Sequence, residues 1–205
     1  MGKLIIVTGY AGSGKSYFIN NLCFLGPNYE AVKKKTTRPP RKNEYPETNV
    51  EFSFNCSRKE VENCNCIYTY RDELYGFNFT SIDTVISKKS NAVIIIKPVE
   101  VIKKIQKKYK NSIVFLFKPL DQNLLEKQIS KDRNTESEIK KRFFSKDEDR
   151  IKKEYYDNLS IFDKIVHNKY DKKFLDEIKC FLMAKNQRRH ISQLRGRGSA
   201  NCIDV

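Results

Sequence analysis

The residues best suited to chemistry stand near the start of the chain, where positions 9–16 read Gly-Tyr-Ala-Gly-Ser-Gly-Lys-Ser. This is the pattern G-x-x-x-x-G-K-S. Glycines permit backbone torsions that turn successive N–H groups towards one anion, and a following helix points its positive end at the same anion. We expect the Lys15 ammonium group to bridge two nucleotide phosphates and the Ser16 hydroxyl to hold Mg²⁺. The predicted phosphate-binding positions are Gly9, Gly12, Ser13, Gly14, Lys15 and Ser16.

The segments on either side of this loop are those that a phosphate site needs. Residues 4–8 form an unbroken apolar run with β-branched side chains, which predicts a strand buried on both faces of a parallel sheet. Residues 15–25 read as a helix. Because a buried strand precedes the loop and a helix follows it, the sequence predicts a site for ATP and Mg²⁺.

The rest of the chain divides by composition. Residues 31–80 are rich in Lys, Arg, Asn, Pro and aromatic residues, and their short alternating runs predict an inserted lobe of small strands. After residue 81, apolar runs near 92–96, 112–117 and 165–166 alternate with amphipathic segments. This alternation predicts an α/β fold, in which helices cover both sides of a parallel sheet in three layers.

The last third of the chain contains two further helix signals, and its final residues differ from the rest in composition. Thr135 and Glu136 begin a capping box, Thr-Glu-Ser-Glu, that predicts a helix reaching to about Asp157. A final helix should carry Phe174, Leu175, Ile178 and Leu182 on one face. Residues 186–205 are rich in arginine and have no apolar periodicity, so they are predicted to form a basic flexible tail.

The net charge of the chain indicates the chemical class of its partners but does not identify a particular partner. There are 40 Lys+Arg against 25 Asp+Glu, a formal net charge of +15. Such a balance favours anionic partners, although scattered lysines are also an ordinary solvated surface. The basic tail leaves open a weak contact with nucleic acid. The oligomeric state cannot be read from the pattern.

Six cysteines are spaced irregularly and accompanied by only two histidines, so a four-ligand zinc site is not indicated. They are predicted to be free thiols in a reducing compartment. No stretch of 18 residues is apolar, and the N-terminus runs straight into a strand. We therefore expect no membrane span, no signal peptide and a cytoplasmic location.

A second motif gives the chain its family resemblance. Residues 36–41 read Thr-Thr-Arg-Pro-Pro-Arg, and with the phosphate loop they resemble the guanylate kinase family. The resemblance implies that Arg38 and Arg41, with Thr37, bind the phosphate of the acceptor by charge-assisted hydrogen bonds. It implies a P-loop kinase with an inserted acceptor-binding lobe and a helical lid.

Weaker similarities extend the resemblance along residues 3–182. Tyr75 stands in a Tyr-Gly turn that faces the acceptor in the family, and Asn168 falls where the family has an asparagine near the adenine. Arg133 and Arg142 resemble lid arginines that neutralise charge on the transferred phosphoryl group. The implied domain spans 1–185, with its core at 1–30, 81–130 and 151–185, the acceptor lobe at 31–80 and the lid at 131–150.

The acceptor half departs from the family pattern. The family reads guanine with a glutamate near the place of Ile67-Tyr68-Thr69-Tyr70, and it has a D-x-D motif where this chain has Ile95-Ile96-Lys97. Phe52 replaces a tyrosine that binds the acceptor phosphate. A guanine N–H group left without an acceptor costs about 1–3 kcal/mol. The candidates for a compensating acid are Asp72, Glu73 and Glu100.

Three functions remain open at this point. The first is transfer of the γ-phosphoryl group of ATP to a nucleoside monophosphate, with GMP or dGMP as the first choice. The second is a kinase for another phosphorylated acceptor such as ribose 1,5-bisphosphate, where Lys97 would bind an extra phosphate. The third is a catalytically impaired binding module or an RNA-associated protein, although the intact Lys15 and Ser16 disfavour loss of catalysis.

Overall fold

The computed structural model describes residues 2–42, 44–121, 145–171 and 173–197, without the side chains of 188–197. The strands are β1 (Leu4–Gly9), β2 (Tyr29–Ala31), β3 (Lys34–Thr36), β4 (Phe52–Ser53), β5 (Cys66–Tyr70), β6 (Glu73–Phe77), β7 (Asn91–Ile95), β8 (Ile113–Pro119) and β9 (Lys164–Asn168). The described α-helices are α1 (Lys15–Asn20), α2 (Arg58–Glu62), α3 (Phe79–Ser87), α4 (Val99–Lys108), α5 (Lys146–Asp157) and α6 (Lys173–Arg197).

The core sheet is parallel and has the strand order β2-β7-β1-β8-β9. Strand β1 lies in the middle with all six residues buried, as its unbroken apolar sequence predicts. Ile5 pairs with Val93 on one side and with Ile113 on the other. Because the strands are parallel, the carboxyl ends of β1, β7, β8 and β9 meet at one edge, and the phosphate loop leaves β1 there.

Two buried clusters cover the faces of this sheet and make the three layers. On one face, residues of α1 and α6 such as Phe18 and Ile178 pack against Val7 and Phe115. On the other face, residues of α3 and α4 such as Ile82 and Ile102 pack against Ile6 and Ile94. The predicted three-layer α/β fold is confirmed. No helix in the described parts of the chain is both long and apolar enough to span a membrane.

A second, smaller sheet stands beside the carboxyl edge of the core sheet. Its strand order is β4-β3-β6-β5, and it occupies the stretch predicted to form the inserted lobe. The hairpin of β5 and β6 turns through Arg71 and Asp72, both with positive φ. This lobe presents the faces of β3, β5 and β6 to the phosphate loop.

Two helix limits differ from the sequence predictions. Helix α1 ends at Asn20, and a 3₁₀ turn (Leu22–Leu25) completes the segment. Helix α5 begins at Lys146 rather than near 135, because the Ser145 side chain accepts the Glu148 N–H and caps a new helix there. Residues 122–144, which include the capping box at Thr135, lie outside the described residues.

The predicted flexible tail is also corrected in part. Helix α6 runs to Arg197, through twelve of the residues assigned to the tail. Gln, Arg, Leu and Ala are good helix formers, and no Gly or Pro interrupts the sequence between 186 and 195, so the helix continues without an apolar face to guide it. Residues 198–205 are not among those described.

Helix α5 is joined to the core sheet by one buried tyrosine. The Tyr155 hydroxyl lies 2.6 Å from the Thr8 hydroxyl at the end of β1 and donates to the Lys97 carbonyl at 3.0 Å. Burial raises the pKa of Tyr155, so the phenol stays protonated and able to donate. This contact positions α5 against the carboxyl ends of β1 and β7.

Removal of the hydroxyl should therefore destabilise the fold. Tyr155→Phe leaves Thr8 and the Lys97 carbonyl without their buried partner, and we expect a loss of about 1–3 kcal/mol in the free energy of unfolding. Urea denaturation followed by circular dichroism measures it. The matched control is Tyr156→Phe, since Tyr156 is 74% exposed and should change stability by less than about 0.5 kcal/mol. Equal effects of the two substitutions would contradict this role for Tyr155.

Candidate active site

The phosphate loop is held by contacts that only glycine permits at two positions. Gly9 has φ 146°, and a Cβ there would lie 2.1 Å from the Phe117 carbonyl oxygen of β8. Gly14 has φ 89°, and a Cβ there would lie 2.3 Å from the Asn168 amide nitrogen. That amide donates to the Ser13 carbonyl at 3.3 Å. The backbone of the loop therefore packs directly against β8 and β9.

Lys15 folds back over the same loop. Its ammonium group donates to the Gly9 carbonyl at 2.9 Å and to the Tyr10 carbonyl at 2.6 Å. Burial and, next, the charge of the nearby Lys97 lower the pKa of Lys15 to about 7, while Glu148 opposes the shift. An anion in the loop would restore the full charge of Lys15, which is the behaviour of a phosphate-binding lysine.

A cavity of about 510 Å³ opens above the loop and extends to the small sheet. Residues from both sides line it. From the phosphate loop and α1 these are Ala11, Gly12, Ser13, Gly14, Lys15, Ser16 and Tyr17, and from the lobe they are Lys34, Arg38, Arg41, Glu44, Glu51, Phe52, Tyr68, Tyr70, Arg71 and Tyr75. Ile95, Lys97, Asn168, Tyr170 and Asp171 complete the lining.

The two predicted arginines meet at one carboxylate. Arg38 donates to both oxygens of Glu44, at 2.7 and 3.1 Å, and Arg41 donates to Glu44 Oε1 at 3.1 Å. Burial would raise the pKa of Glu44, but its hydrogen bonds with the two arginines outweigh burial and lower it. Arg38 Nε is buried and has no hydrogen-bond partner in the described structure. The two guanidinium groups therefore form a site that suits an anion, and Arg38 Nε is a further hydrogen-bond donor there.

Aromatic rings form the wall beside the arginines. Tyr68 and Tyr75 stack with centroids 5.3 Å apart and an interplanar angle of 11°. The Phe52 ring lies 5.9 Å from Tyr75 and 5.3 Å from the Arg38 guanidinium carbon. Phe52 and Tyr75 therefore line the cavity as predicted, one with its apolar ring and the other with a phenol.

A buried carboxylate lies behind the cavity wall and joins its parts. Glu148 accepts from the Ala11 N–H at 2.5 Å, from the Tyr70 hydroxyl at 2.9 Å and from the Lys97 ammonium group at 2.8 Å. Arg71 approaches the same carboxylate at 3.4 Å. We call Glu148 and these four partners the Glu148 cluster. It connects the phosphate loop, the end of β7 and the β5–β6 hairpin to α5.

Ionisation of the cluster is set by opposing effects. Burial alone would raise the pKa of Glu148, but Lys97 and the Ala11 N–H lower it to about 2. Burial lowers the pKa of Lys97, and Glu148 opposes that shift. Glu148 is therefore a carboxylate at neutral pH, and the Lys97 charge is directed at it.

Two predicted site residues make hydrogen bonds within the protein. The Thr37 hydroxyl donates to Glu73 at 2.7 Å and accepts the Leu74 N–H at 3.0 Å, so it joins β3 to β6 and does not line the cavity. Asn168 lines the cavity, yet its amide binds the Ser13 carbonyl and its oxygen binds the Tyr170 N–H. It therefore supports the loop. Arg133 and Arg142 lie outside the described residues.

The acids that sequence reasoning proposed as replacements are not at the cavity. Asp72 is in the hairpin turn, Glu73 binds Thr37, and Glu100 is exposed in the first turn of α4. Glu44, Glu51 and Glu148 were missed. One signal was available for Glu148, because Ser145 and Glu148 have the spacing of a helix cap. Strand alternation could have indicated that Lys34 shares the buried side of Thr36.

Mg²⁺ fits the residues that are present. This ion keeps several waters and binds through few protein groups together with phosphate oxygens, so it needs no dense carboxylate site. Ser16, at the start of α1 and in the cavity, offers one such group. No group of three or more His, Cys, Asp or Glu suited to a metal occurs in the described ranges.

The geometry defines a class of protein. A phosphate loop follows the central strand of a parallel sheet, and an anion site in an inserted lobe faces it across one cavity. This is the arrangement of a P-loop kinase.

Comparison with known proteins identifies the family to which this chain belongs. The sequence profile of the family described as Guanylate kinase matches residues 1–185. A guanylate kinase of Prochlorococcus marinus (strain MIT 9312) is 32% identical over 145 residues, covering 68% of this chain and 78% of that protein. The crystal structure of guanylate kinase from Anaplasma phagocytophilum matches with a TM-score of 0.61 at 16% identity, covering 90% of this chain and 86% of that chain. This chain belongs to the guanylate kinase family.

The Glu148 cluster makes stability depend on pH. The folded pKa of Glu148 lies below its ordinary value of 4.5, so the stabilisation is complete above pH 4.5 and is lost as the pH falls towards about 2. Glu148→Gln leaves buried cations without their counter-charge and should cost about 3–5 kcal/mol at pH 7. The difference from wild type in urea unfolding should shrink steadily below pH 4.5.

The neighbouring acid gives the control. Asp147 is 40% exposed and its only ion pair with a described residue is with Arg150 along the same helix, so Asp147→Asn should cost less than about 0.5 kcal/mol at every pH. A Glu148→Gln protein that is as stable as Asp147→Asn at pH 7 would refute the importance of the cluster.

Proposed function

We propose that this chain transfers the γ-phosphoryl group of ATP to the phosphate of a nucleoside monophosphate, with GMP or dGMP as the acceptor. The observation that carries the proposal is that Lys15 lines the same cavity as Arg38 and Arg41. One cavity thus offers a phosphate loop at one end and an arginine pair at the other. Membership of the guanylate kinase family supports this assignment of substrates.

At the ATP end, the N–H groups of the loop and the Lys15 ammonium group bind the phosphates, and Ser16 is available to Mg²⁺. The bound metal would neutralise the negative charge that develops on the phosphate oxygens during phosphoryl transfer. The contacts of Lys15 with the Gly9 and Tyr10 carbonyls hold it within the loop, so it needs only a short movement to reach a phosphate.

At the acceptor end, Arg38 and Arg41 bind the acceptor phosphate by charge-assisted hydrogen bonds. Glu44 already occupies part of that site, and the unpartnered Nε of Arg38 offers an additional donor. The acceptor oxygen is already an anion and attacks the γ-phosphoryl group in line, so no general base is required. Arg133 and Arg142 are proposed to assist from the predicted lid.

The bisphosphate alternative depended on Lys97 binding an additional phosphate. Lys97 is 2.8 Å from Glu148 and also donates to Tyr70, so its charge is already compensated. We therefore favour a monophosphate acceptor. We also propose a cytoplasmic location, because ATP and GMP are cytoplasmic nucleotides and the cysteines of the described residues are free thiols.

A panel of acceptors tests the proposal. With ATP and Mg²⁺, the wild-type protein should turn over GMP and dGMP in preference to AMP, UMP, CMP, dTMP and ribose 1,5-bisphosphate, measured as ADP release. Arg38→Met should lower kcat/KM for GMP by about 100-fold or more, because it removes charged donors from the reacting phosphate. Lys15→Ala serves as the blank.

The control is Arg58→Met, which removes an exposed arginine of the same lobe. Within the described part of the chain, Arg58 forms an ion pair with Glu62 alone. This variant should keep kcat/KM within about twofold of wild type. Turnover confined to another acceptor would refute the assignment of GMP. Binding of ATP without turnover of any acceptor would instead favour a nucleotide-dependent binding protein.

A further inference from the structure

A buried ion pair at the lobe end of the cavity has no part in the chemistry described above. The Lys34 ammonium group lies 3.4 Å from Glu51 Oε1 and 4.5 Å from the centre of the Phe52 ring, and it donates to the Ile95 carbonyl. Lys34 is 2% exposed and Glu51 7%. Both residues line the cavity together with Tyr68.

A role in folding alone explains this pair poorly. Removal of two charges from water is costly, and apolar residues of similar size usually stabilise such a position at least as well. Burial lowers the pKa of Lys34, because the charged ammonium group is less stable away from water, and the charge of Glu51 opposes that shift. A buried pair that faces a cavity is therefore a candidate for ligand recognition.

Polar atoms at this end of the cavity remain available. Glu51 Oε2 and the Tyr68 hydroxyl make no hydrogen bond with any described residue, while Glu51 Oε1 is held by Lys34 at a long 3.4 Å. Tyr68 stays protonated, because burial raises its pKa and the Tyr75 and Glu51 charges raise it further. The site thus offers a carboxylate that accepts, and an ammonium group and a phenol that donate.

We propose that Glu51 determines the base specificity of this site by accepting hydrogen bonds from guanine N1–H and N2–H, while Lys34 donates to guanine O6. The inference rests on the proposed function, since it assumes a purine nucleotide with its phosphate on Arg38. Guanine presents two adjacent N–H donors beside one acceptor, which matches two carboxylate oxygens beside one ammonium group. Adenine has a lone pair at N1, a C–H group at C2 and an amino group in place of O6, so one carboxylate oxygen would face a lone pair and the other would have no N–H donor.

The position of the acid differs from the family pattern. Strand β5 carries Tyr68 in the region where the family has its guanine-reading glutamate, and no carboxylate of β5 enters the cavity. Glu51 enters instead from the residue before β4, whose first residue, Phe52, pairs with Lys34 of β3. The carboxylate thus comes from the opposite edge of the small sheet, with its counter-charge already present.

Calorimetric titration with three ligands tests the proposal. GMP contains both N–H donors, IMP lacks the 2-amino group, and ribose 5-phosphate lacks the base. The wild-type protein should bind GMP about 10-fold to 100-fold more tightly than IMP, which is the range for a hydrogen bond to a charged group. In Glu51→Gln the ratio of GMP to IMP affinity should fall to within about threefold of unity. The affinity for ribose 5-phosphate should not change, because the arginine pair is intact.

Two further variants separate recognition from folding. Lys34→Met with Glu51→Gln removes the pair as a unit, leaves no uncompensated buried charge, and should also lose the GMP preference. Glu62→Gln removes an exposed acid of the same lobe and should keep the wild-type ratio. Far-UV circular dichroism and unchanged binding of ribose 5-phosphate establish that each protein is folded.

The outcomes distinguish this inference from the proposal on which it rests. A folded Glu51→Gln protein that keeps the wild-type preference for GMP over IMP would overturn the role of Glu51 and leave the kinase assignment intact. A wild-type protein that binds GMP no more tightly than ribose 5-phosphate would overturn both the role of Glu51 and the choice of GMP as the acceptor.

Discussion

The carboxylate of Glu148 must be compensated because it is almost completely removed from water, and the groups that compensate it come from every part of the site. Ala11 belongs to the phosphate loop, Lys97 follows β7, and Tyr70 ends β5. A charge in a region of low dielectric holds its partners at short range. One buried anion carried on α5 therefore joins the phosphate loop to the inserted lobe.

Pairing of a poorly solvated acid with a cation also occurs elsewhere around the cavity. Three acids at or behind the cavity wall are paired with cations: Glu44 with Arg38 and Arg41, Glu51 with Lys34, and Glu148 with Lys97. The chain has a net charge of +15, yet the cationic side chains at the reacting end are largely compensated by these acids. A site of this kind is organised before a ligand arrives, so less reorganisation is needed when phosphates bind. The acids also reduce the repulsion between the cationic groups of the site, since Glu148 opposes the effect of Lys97 on the pKa of Lys15.

Much of the fold and half of the site could be predicted from the sequence, for physical reasons that can be named. The buried β1, the loop from Gly9 to Ser16 and the arginines of the Thr-Thr-Arg-Pro-Pro-Arg motif are local patterns, in which the required residue types stand close together in the chain. The glycine torsions and strand burial follow directly from those patterns. Such features need no knowledge of which distant segments meet.

The remaining features depend on contacts between distant segments. Glu148 is separated by 137 positions from Ala11, and no local pattern states that a helix cap at Ser145 will bring an acid beneath the phosphate loop. Thr37 looks like a phosphate ligand in its motif, but the neighbouring strand uses both hydrogen-bonding capacities of its hydroxyl. Lys34 stands in a run of three lysines, which obscures the alternation of β3, and the pairing of that strand with β4 and β6 shows that it is buried.

The central claim is that the phosphate loop and the arginine pair serve two phosphorylated ligands in one cavity. The most direct test is the affinity of a bisubstrate ligand, adenosine and guanosine joined through five phosphates, measured by calorimetry beside ATP and GMP. If both sites face one cavity, linkage should make the ligand bind about 100-fold or more tightly than either nucleotide alone, and Arg38→Met should abolish most of that gain. A linked ligand that binds no more tightly than ATP, with the same affinity in Arg38→Met, would contradict the account.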